Sequence, residues 1–169
     1  MRALKFFLPG LAAIALAGCA YHLGAVNGTQ NGERSIEIQP FDNQTFQPRL
    51  GDVLTQSLRE HIQADATFHL ATHGLADVIV TGAIHQYNRQ GLGFLNQDSA
   101  TPENYRVNMV VHVTARDRHS GKLILDKDIK GHTFVNIGTD LTSAEREAMP
   151  LLAGDVAQTI TEVLAEGAW

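Results

Sequence analysis

The stretch YRVNMVVHVTAR, residues 105–116, decides the fold of this chain. Apolar residues occupy every second position from Tyr105 to Ala115, and most of the positions between them are polar. A period of two is typical of a strand that buries one face and leaves the other open. The core-facing side of a sheet is therefore expected here, with Arg106 and His112 on its opposite side.

The chain is expected to reverse direction directly after this strand. Asp117 to Lys122, which includes Ser120-Gly121, predicts a hairpin turn. Residues 123–135 then return as a second strand with weaker alternation. The charged run from Asp126 to Asp128 indicates an exposed or edge strand, because charges along an edge discourage pairing with another chain.

Shorter strands and one helix are predicted before the hairpin. Ser35 to Gln39 alternates as a strand that Pro40 ends, residues 68–71 form a short strand, and residues 78–87 form a more buried one. The segment Asn88 to Asn104 is predicted to be a loop. After the first strand, a helix with Pro48 in its first turn presents an apolar stripe, which consists of Leu50, Val53, Leu54, Leu58 and Ile62.

A second helix is predicted near the end of the sequence. Thr142-Ser143-Ala144-Glu145 matches a capping box, which opens a helix. Pro150 predicts either a kink or a helix whose regular part begins there. The apolar stripe of this helix comprises Ala148, Leu151, Leu152, Val156, Ile160, Val163 and Leu164.

The order of these elements predicts an α+β two-layer sandwich. We expect a mixed sheet of about four strands with both helices on one face. The length of 169 residues suits a single core, and residues 35–169 are predicted to form one domain.

The N-terminus carries the features of a bacterial lipoprotein. Two basic residues in Met1 to Lys5 precede the apolar run Phe6 to Ala17, which is too short to span a membrane and predicts a signal peptide over residues 1–18. Leu16-Ala17-Gly18-Cys19 resembles the lipobox, so Cys19 is predicted to be the lipidated N-terminus. The same resemblance implies sorting to the outer membrane, because Ala20 follows the cysteine where an inner-membrane retention signal typically has Asp. Residues 19–34 are interpreted as the lipid anchor and a tether.

The net charge excludes one class of partner. It is −5 for the whole chain, and removal of the two basic residues in the signal peptide lowers it to −7. Nucleic-acid binding requires a concentrated basic face, so we expect no nucleic acid partner.

No pattern in the sequence predicts catalysis, a metal or another cofactor. The eight histidines lack metal-ligand spacing, no serine lies in a nucleophile elbow, and the only cysteine is assigned to the lipid. An anchor, a tether and a small sandwich therefore indicate a binding or assembly protein rather than an enzyme.

Several segments in order resemble the lipopolysaccharide-assembly lipoprotein family LptE. The resemblance rests on Gly18 to Leu23, on the F-x-N-x-T segment Phe41 to Thr45, on Ala76 to Gly82, and on the paired strands around Glu103 to Val107 and Asp117 to Leu123. It implies a sheet backed by two helices and a plug inside the LptD β-barrel of the outer membrane. It also implies contact with lipopolysaccharide through basic residues in loops, of which residues 88–104 offer only Arg89.

The contact surface is predicted to be the sheet face opposite the helices, with the loops around it. Its candidate residues are Arg89, Phe94, Arg106 and His112. The protein would then lie on the periplasmic side of the outer membrane or inside the barrel lumen. An alternative remains open, because residues 35–82 also resemble the strand–helix–strand domains of curli-secretion lipoproteins and of lipoprotein activators of peptidoglycan synthases, which bind periplasmic proteins.

Overall fold

A computed structural model describes residues 34–65, 67–73, 75–95, 98–136 and 140–166. These residues form six strands and two helices. In chain order the elements are β1 (Ser35–Ile38), β2 (Asp42–Asn43), α1 (Leu50–Asp65), β3 (His69–Leu70), β4 (Val78–Leu95), β5 (Asp98–Asp117), β6 (Leu123–Asn136) and α2 (Leu141–Glu166).

The strands form one mixed sheet in the order β3-β1-β4-β5-β6, with β2 also paired to β4. The pairs among β1, β2, β3 and β4 are parallel, whereas β4, β5 and β6 pair antiparallel. The predicted α+β class is confirmed, and the sheet has six strands rather than about four. The predicted turn at Asp117 to Lys122 is present, closed by a hydrogen bond from the Asp117 amide to the Lys122 carbonyl. As predicted, β6 is an edge strand.

The prediction of a loop at Asn88 to Asn104 is wrong. Strand β4 continues to Leu95, and β5 begins at Asp98 and pairs with it. Backbone hydrogen bonds hold this hairpin together, so glycine and proline are tolerated at its tip. A Cβ on Gly91 would lie 2.8 Å from Cγ of Pro102, which shows that the missing side chain makes room for the proline ring.

The core lies between the helices and one face of the sheet. Leu54 and Leu58 of α1 and Leu152 and Val156 of α2 are buried together with Met109 of β5, as predicted. Leu151 does not belong to the buried stripe, because 65% of its side chain is exposed. The small residues Ala153 and Ala157 lie in the core instead, where α1 packs against α2.

The ends of the helices differ in detail from the capping prediction. Asp140, not Thr142, caps α2, since its carboxylate accepts hydrogen bonds from the amides of Thr142 and Ser143 at 3.1 and 3.0 Å. The helix runs through Pro150 without a break, so its regular part does not begin there. Pro48 lies in the turn before α1 and not in its first helical turn.

The F-x-N-x-T segment builds the entry to α1. Phe41 is buried, and its amide donates to Oγ1 of Thr55 at 3.0 Å. Asn43 accepts from the Thr45 amide and donates to the Gln47 carbonyl, which fixes the turn before the helix. A methyl group on Gly82 would collide with the Phe41 ring, so this glycine is needed for the close approach. The motif therefore has a structural role.

Candidate functional site

The candidate site is the outward sheet face, defined as the surface of β4, β5 and β6 opposite the helices. The register places its residues in rows across these three strands. One row is Asn88, Asn108 and His132, and the next is Gln90, Arg106 and Phe134. We call these six residues the amide–arginine patch.

The patch presents amides, an aromatic ring and an incompletely bonded cation. The side-chain nitrogen of Asn108 donates to Oδ1 of Asn88 at 3.1 Å. Phe134 is 60% exposed, and the His132 ring lies edge-on to it with centroids 5.8 Å apart. Nε of Arg106 is buried and finds no hydrogen-bond acceptor among the described residues. A buried donor without an acceptor is costly, and a partner's oxygen could reach it only if the atoms that cover it moved.

A second group of side chains surrounds His112 on the same face. Nε2 of His112 lies 3.1 Å from Oδ1 of Asp126, and Nδ1 lies 2.8 Å from Oδ1 of Asp128. His85 of β4 lies beside His112, with ring centroids 6.0 Å apart. These side chains are partly exposed, so their contacts add little stability and form a polar surface instead.

Arg89 does not lie on the outward face. It pairs in register with the buried Val107, which directs it toward the helices. Its Nη1 lies 3.2 Å from Oε1 of Glu145, and the hydroxyl of Tyr87 donates to the same oxygen at 3.2 Å. Burial, together with the nearby Glu145 carboxylate, raises the pKa of Tyr87 to about 12. The predicted placement of Arg89 around the outward face is therefore wrong, because residues 88–95 form a strand.

The other candidates divide into two groups. Arg106 and His112 both lie on the outward face, as predicted. They are six positions apart in β5, which corresponds to about 20 Å along a strand. The backbone of Phe94 belongs to β4, opposite Pro102, but its side chain lies outside the described part of the structure. Cys19 also lies outside the described residues.

Sequence reasoning missed Phe134 and His132 as surface residues. The weak alternation of residues 123–135 did not show which positions point away from the helices. Their position on the outward face follows only from the strand register, which pairs Phe134 with Arg106 and His132 with Asn108.

The described residues contain neither a metal-ligand cluster nor a membrane-spanning helix. No group of three or more His, Cys, Asp or Glu side chains in these residues is arranged to hold a metal ion. Within the same residues, neither helix is long and apolar enough to cross a membrane.

Comparison with known proteins identifies one family and several similar folds. Residues 33–164 match the model of the family LptE, described as lipopolysaccharide-assembly. No curated protein sequence gives a significant match.

Three solved structures illustrate the shared fold. A protein from Xanthomonas campestris has a TM-score of 0.58 at 10% identity, covering 78% of this chain and 84% of its own. A hypothetical protein from Chlamydia trachomatis has a TM-score of 0.57 at 10% identity, with coverages of 78% and 95%. A minor lipoprotein from Acinetobacter baumannii has a TM-score of 0.53 at 15% identity, with coverages of 78% and 92%. Identities this low establish similarity of fold alone.

Proposed function

The chain belongs to the lipopolysaccharide-assembly family LptE, and from this premise we propose that it is a lipid-anchored protein of the lipopolysaccharide transport machinery in the outer membrane. In this proposal Cys19 carries the lipid, and the fold plugs an LptD-type β-barrel. The protein acts as an assembly and binding partner and not as an enzyme. Membership of the family supports this function over the curli-secretion and synthase-activator alternative.

The amide–arginine patch is the observation that carries the proposal. A barrel lumen is polar and lined by hydrogen-bonding groups. The outward face offers Gln90, Asn88 and Asn108 as both donors and acceptors, and the guanidinium group of Arg106 as a cation. These groups match a hydrogen-bonding lumen wall, so the outward face is the surface we assign to the barrel.

Phe134 adds an apolar contact to this polar surface. Its exposed ring lies directly opposite Arg106 on the neighbouring strand. Exposed aromatic residues and arginines are enriched where proteins bind each other. The same pair could also contact a phosphate or sugar oxygen of lipopolysaccharide on the outward face, from which Arg89 is turned away.

Site-specific photo-crosslinking in outer membranes tests the surface assignment. A crosslinking residue in place of Gln90, His112 or Phe134 should capture a partner with the mass of a large barrel. The same residue in place of Glu60 on α1 or Glu162 on α2 should capture it less, because both lie on the helix layer. Equal yields from the two sets, or no yield from the sheet face, would contradict the assignment.

Two variants of Arg106 test whether its guanidinium group contributes to binding. Arg106→Gln should reduce the amount of barrel that co-purifies with the protein. Arg106→Lys keeps the positive charge but has no planar guanidinium group, so it should not restore full binding. Recovery of full binding with lysine would show that charge alone is recognised. Capture of a periplasmic synthase domain instead of a barrel would favour the alternative function.

A further inference from the structure

A cleft of about 430 Å³ opens where the parallel strands β1 and β3 end, and none of its lining residues belongs to the amide–arginine patch. Its apolar surface is formed by Pro40, Leu70 and Ala71, whereas the side chain of Ile38 belongs to the core. Arg59 reaches it from α1, and Thr72 and His73 line it from the segment after β3. Clefts outside the carboxyl ends of parallel strands are common positions for ligands.

Arg59 is held in place but retains free donors. It is half-buried, and its Nη2 donates to the carbonyl of Ile38 at 2.9 Å. Its Nε and Nη1 make no hydrogen bond with any described residue. The bond to the strand end orients the guanidinium group, so the remaining donors can bind an oxyanion without further ordering of the side chain.

The charge around the cleft favours a negative group. Glu37 is the only acidic residue among those that line the cleft, and its carboxylate is paired with Arg118 and accepts a hydrogen bond from Gln39. On the opposite wall the ring of His73 is bonded through Nδ1 to the Thr72 hydroxyl at 3.0 Å. Arg59 is therefore the cation in this cleft that no carboxylate neutralises.

We propose that this cleft binds a small amphiphilic oxyanion, whose carboxylate or phosphate group contacts Arg59 and whose short apolar tail lies on Pro40, Leu70 and Ala71. Both parts are needed because these three side chains offer only carbon atoms, whereas Arg59 offers directed N–H groups. The site is separate from the outward face, so it does not depend on the function proposed above.

A titration followed by nuclear magnetic resonance tests the site. The full chain with Cys19→Ser, which needs no detergent, is titrated with hexanoate, hexyl phosphate or hexanol. The two anions share the tail and differ in the headgroup, and hexanol lacks the charge. Saturable shifts of the amides of residues 38, 39, 41 and 70–73 and of Nε–H of Arg59 are expected with at least one anion. The tighter anion identifies the headgroup.

Two variants separate recognition from folding. Arg59→Gln should weaken binding of the anion by at least about tenfold, as expected when a charge-assisted contact is lost. Thr72→Glu leaves Arg59 in place and adds a repelling carboxylate at the rim, so it should weaken binding as well. Arg116→Gln and Thr142→Glu make the same changes outside the cleft and should leave binding unchanged.

The proposal is overturned if neither anion gives saturable shifts, or if hexanol binds as tightly as both. It is also overturned if the Arg59→Gln and Thr72→Glu chains, shown to be folded by their spectra, bind the anion as tightly as the chain without these substitutions. None of these outcomes affects capture of the barrel by the outward face, so the two proposals fail independently.

Discussion

Arg89 of β4 and Glu145 of α2 form an ion pair, with Nη1 3.2 Å from Oε1. Tyr87 donates to the same carboxylate oxygen, so one acidic side chain binds two residues of the long β4–β5 hairpin. Only 12% of the Glu145 side chain is exposed, which makes it the most enclosed acid among the ion pairs in the described residues. This contact attaches the hairpin to the first turns of α2 and keeps Arg89 on the side of the sheet that faces the helices.

The Tyr87–Glu145 contact predicts a loss of stability at high pH. The pKa of Tyr87 is raised from 10.0 to about 12 in the folded protein, so folding favours the neutral phenol. This contribution is fully present below pH 10, the unfolded value, and is lost as the pH rises through about 12. Between pH 10 and about 12, the free energy of unfolding measured by urea denaturation should decline, and Tyr87→Phe should make this decline smaller. Tyr105→Phe removes a phenol elsewhere and should keep the decline. An identical decline in both variants would contradict the prediction.

Neighbouring leucines on α2 should differ sharply in their effect on stability. Leu152 is 1% exposed and Leu151 is 65% exposed, so the same truncation creates a cavity at one position only. Leu152→Ala should lower the free energy of unfolding by about 2 to 5 kcal/mol, and Leu54→Ala on α1 should do the same. Leu151→Ala should change it by less than about 0.5 kcal/mol. Chemical denaturation of the Cys19→Ser chain measures all three, and equal losses at Leu151 and Leu152 would disprove the packing of α2.

Asp140 should stabilise the start of α2 as its capping residue. Hydrogen bonds from the side chain and amide of Ser143 hold the pKa of Asp140 below its usual 3.8. Because the folded-state pKa is lowered, the stabilisation is present above pH 3.8, the unfolded value, and is lost as the pH falls through the folded-state pKa. Asp140→Ala should reduce stability at neutral pH, and Asp140→Asn should retain most of it because asparagine also caps helices. Thermal unfolding at neutral and acid pH compares them; no loss with alanine would show that Thr142 provides the cap.

Cys19 should carry the lipid that attaches the protein to the membrane. The lipobox places Cys19 at the start of the processed chain, so intact-mass measurement of membrane-extracted protein should show an acylated N-terminal cysteine. Cys19→Ser should move the protein from the membrane fraction to the soluble periplasmic fraction. An unmodified cysteine, or a chain that retains residues 1–18, would contradict the assignment.

The amino-acid sequence alone determined the α+β class, the strand at residues 105–116, the turn after it and both helices. These features follow from local periodicity and turn chemistry, which neighbouring residues along the chain specify. The F-x-N-x-T segment and the order of the other motifs also led to the family that residues 33–164 match. On the candidate site, the alternation of β5 was enough to place Arg106 and His112 on the outward face.

Only the tertiary structure decided which side chains meet across the strands. Glycine and proline at residues 91–102 indicate a loop locally, yet the backbones of β4 and β5 pair there and turn Arg89 toward Glu145. Likewise Leu151 and Leu152 have the same chemistry, and the position of the sheet decides which one is buried. The exposed Phe134 becomes part of a site only because register sets it opposite Arg106. Such contacts join residues distant in sequence, so no local pattern records them.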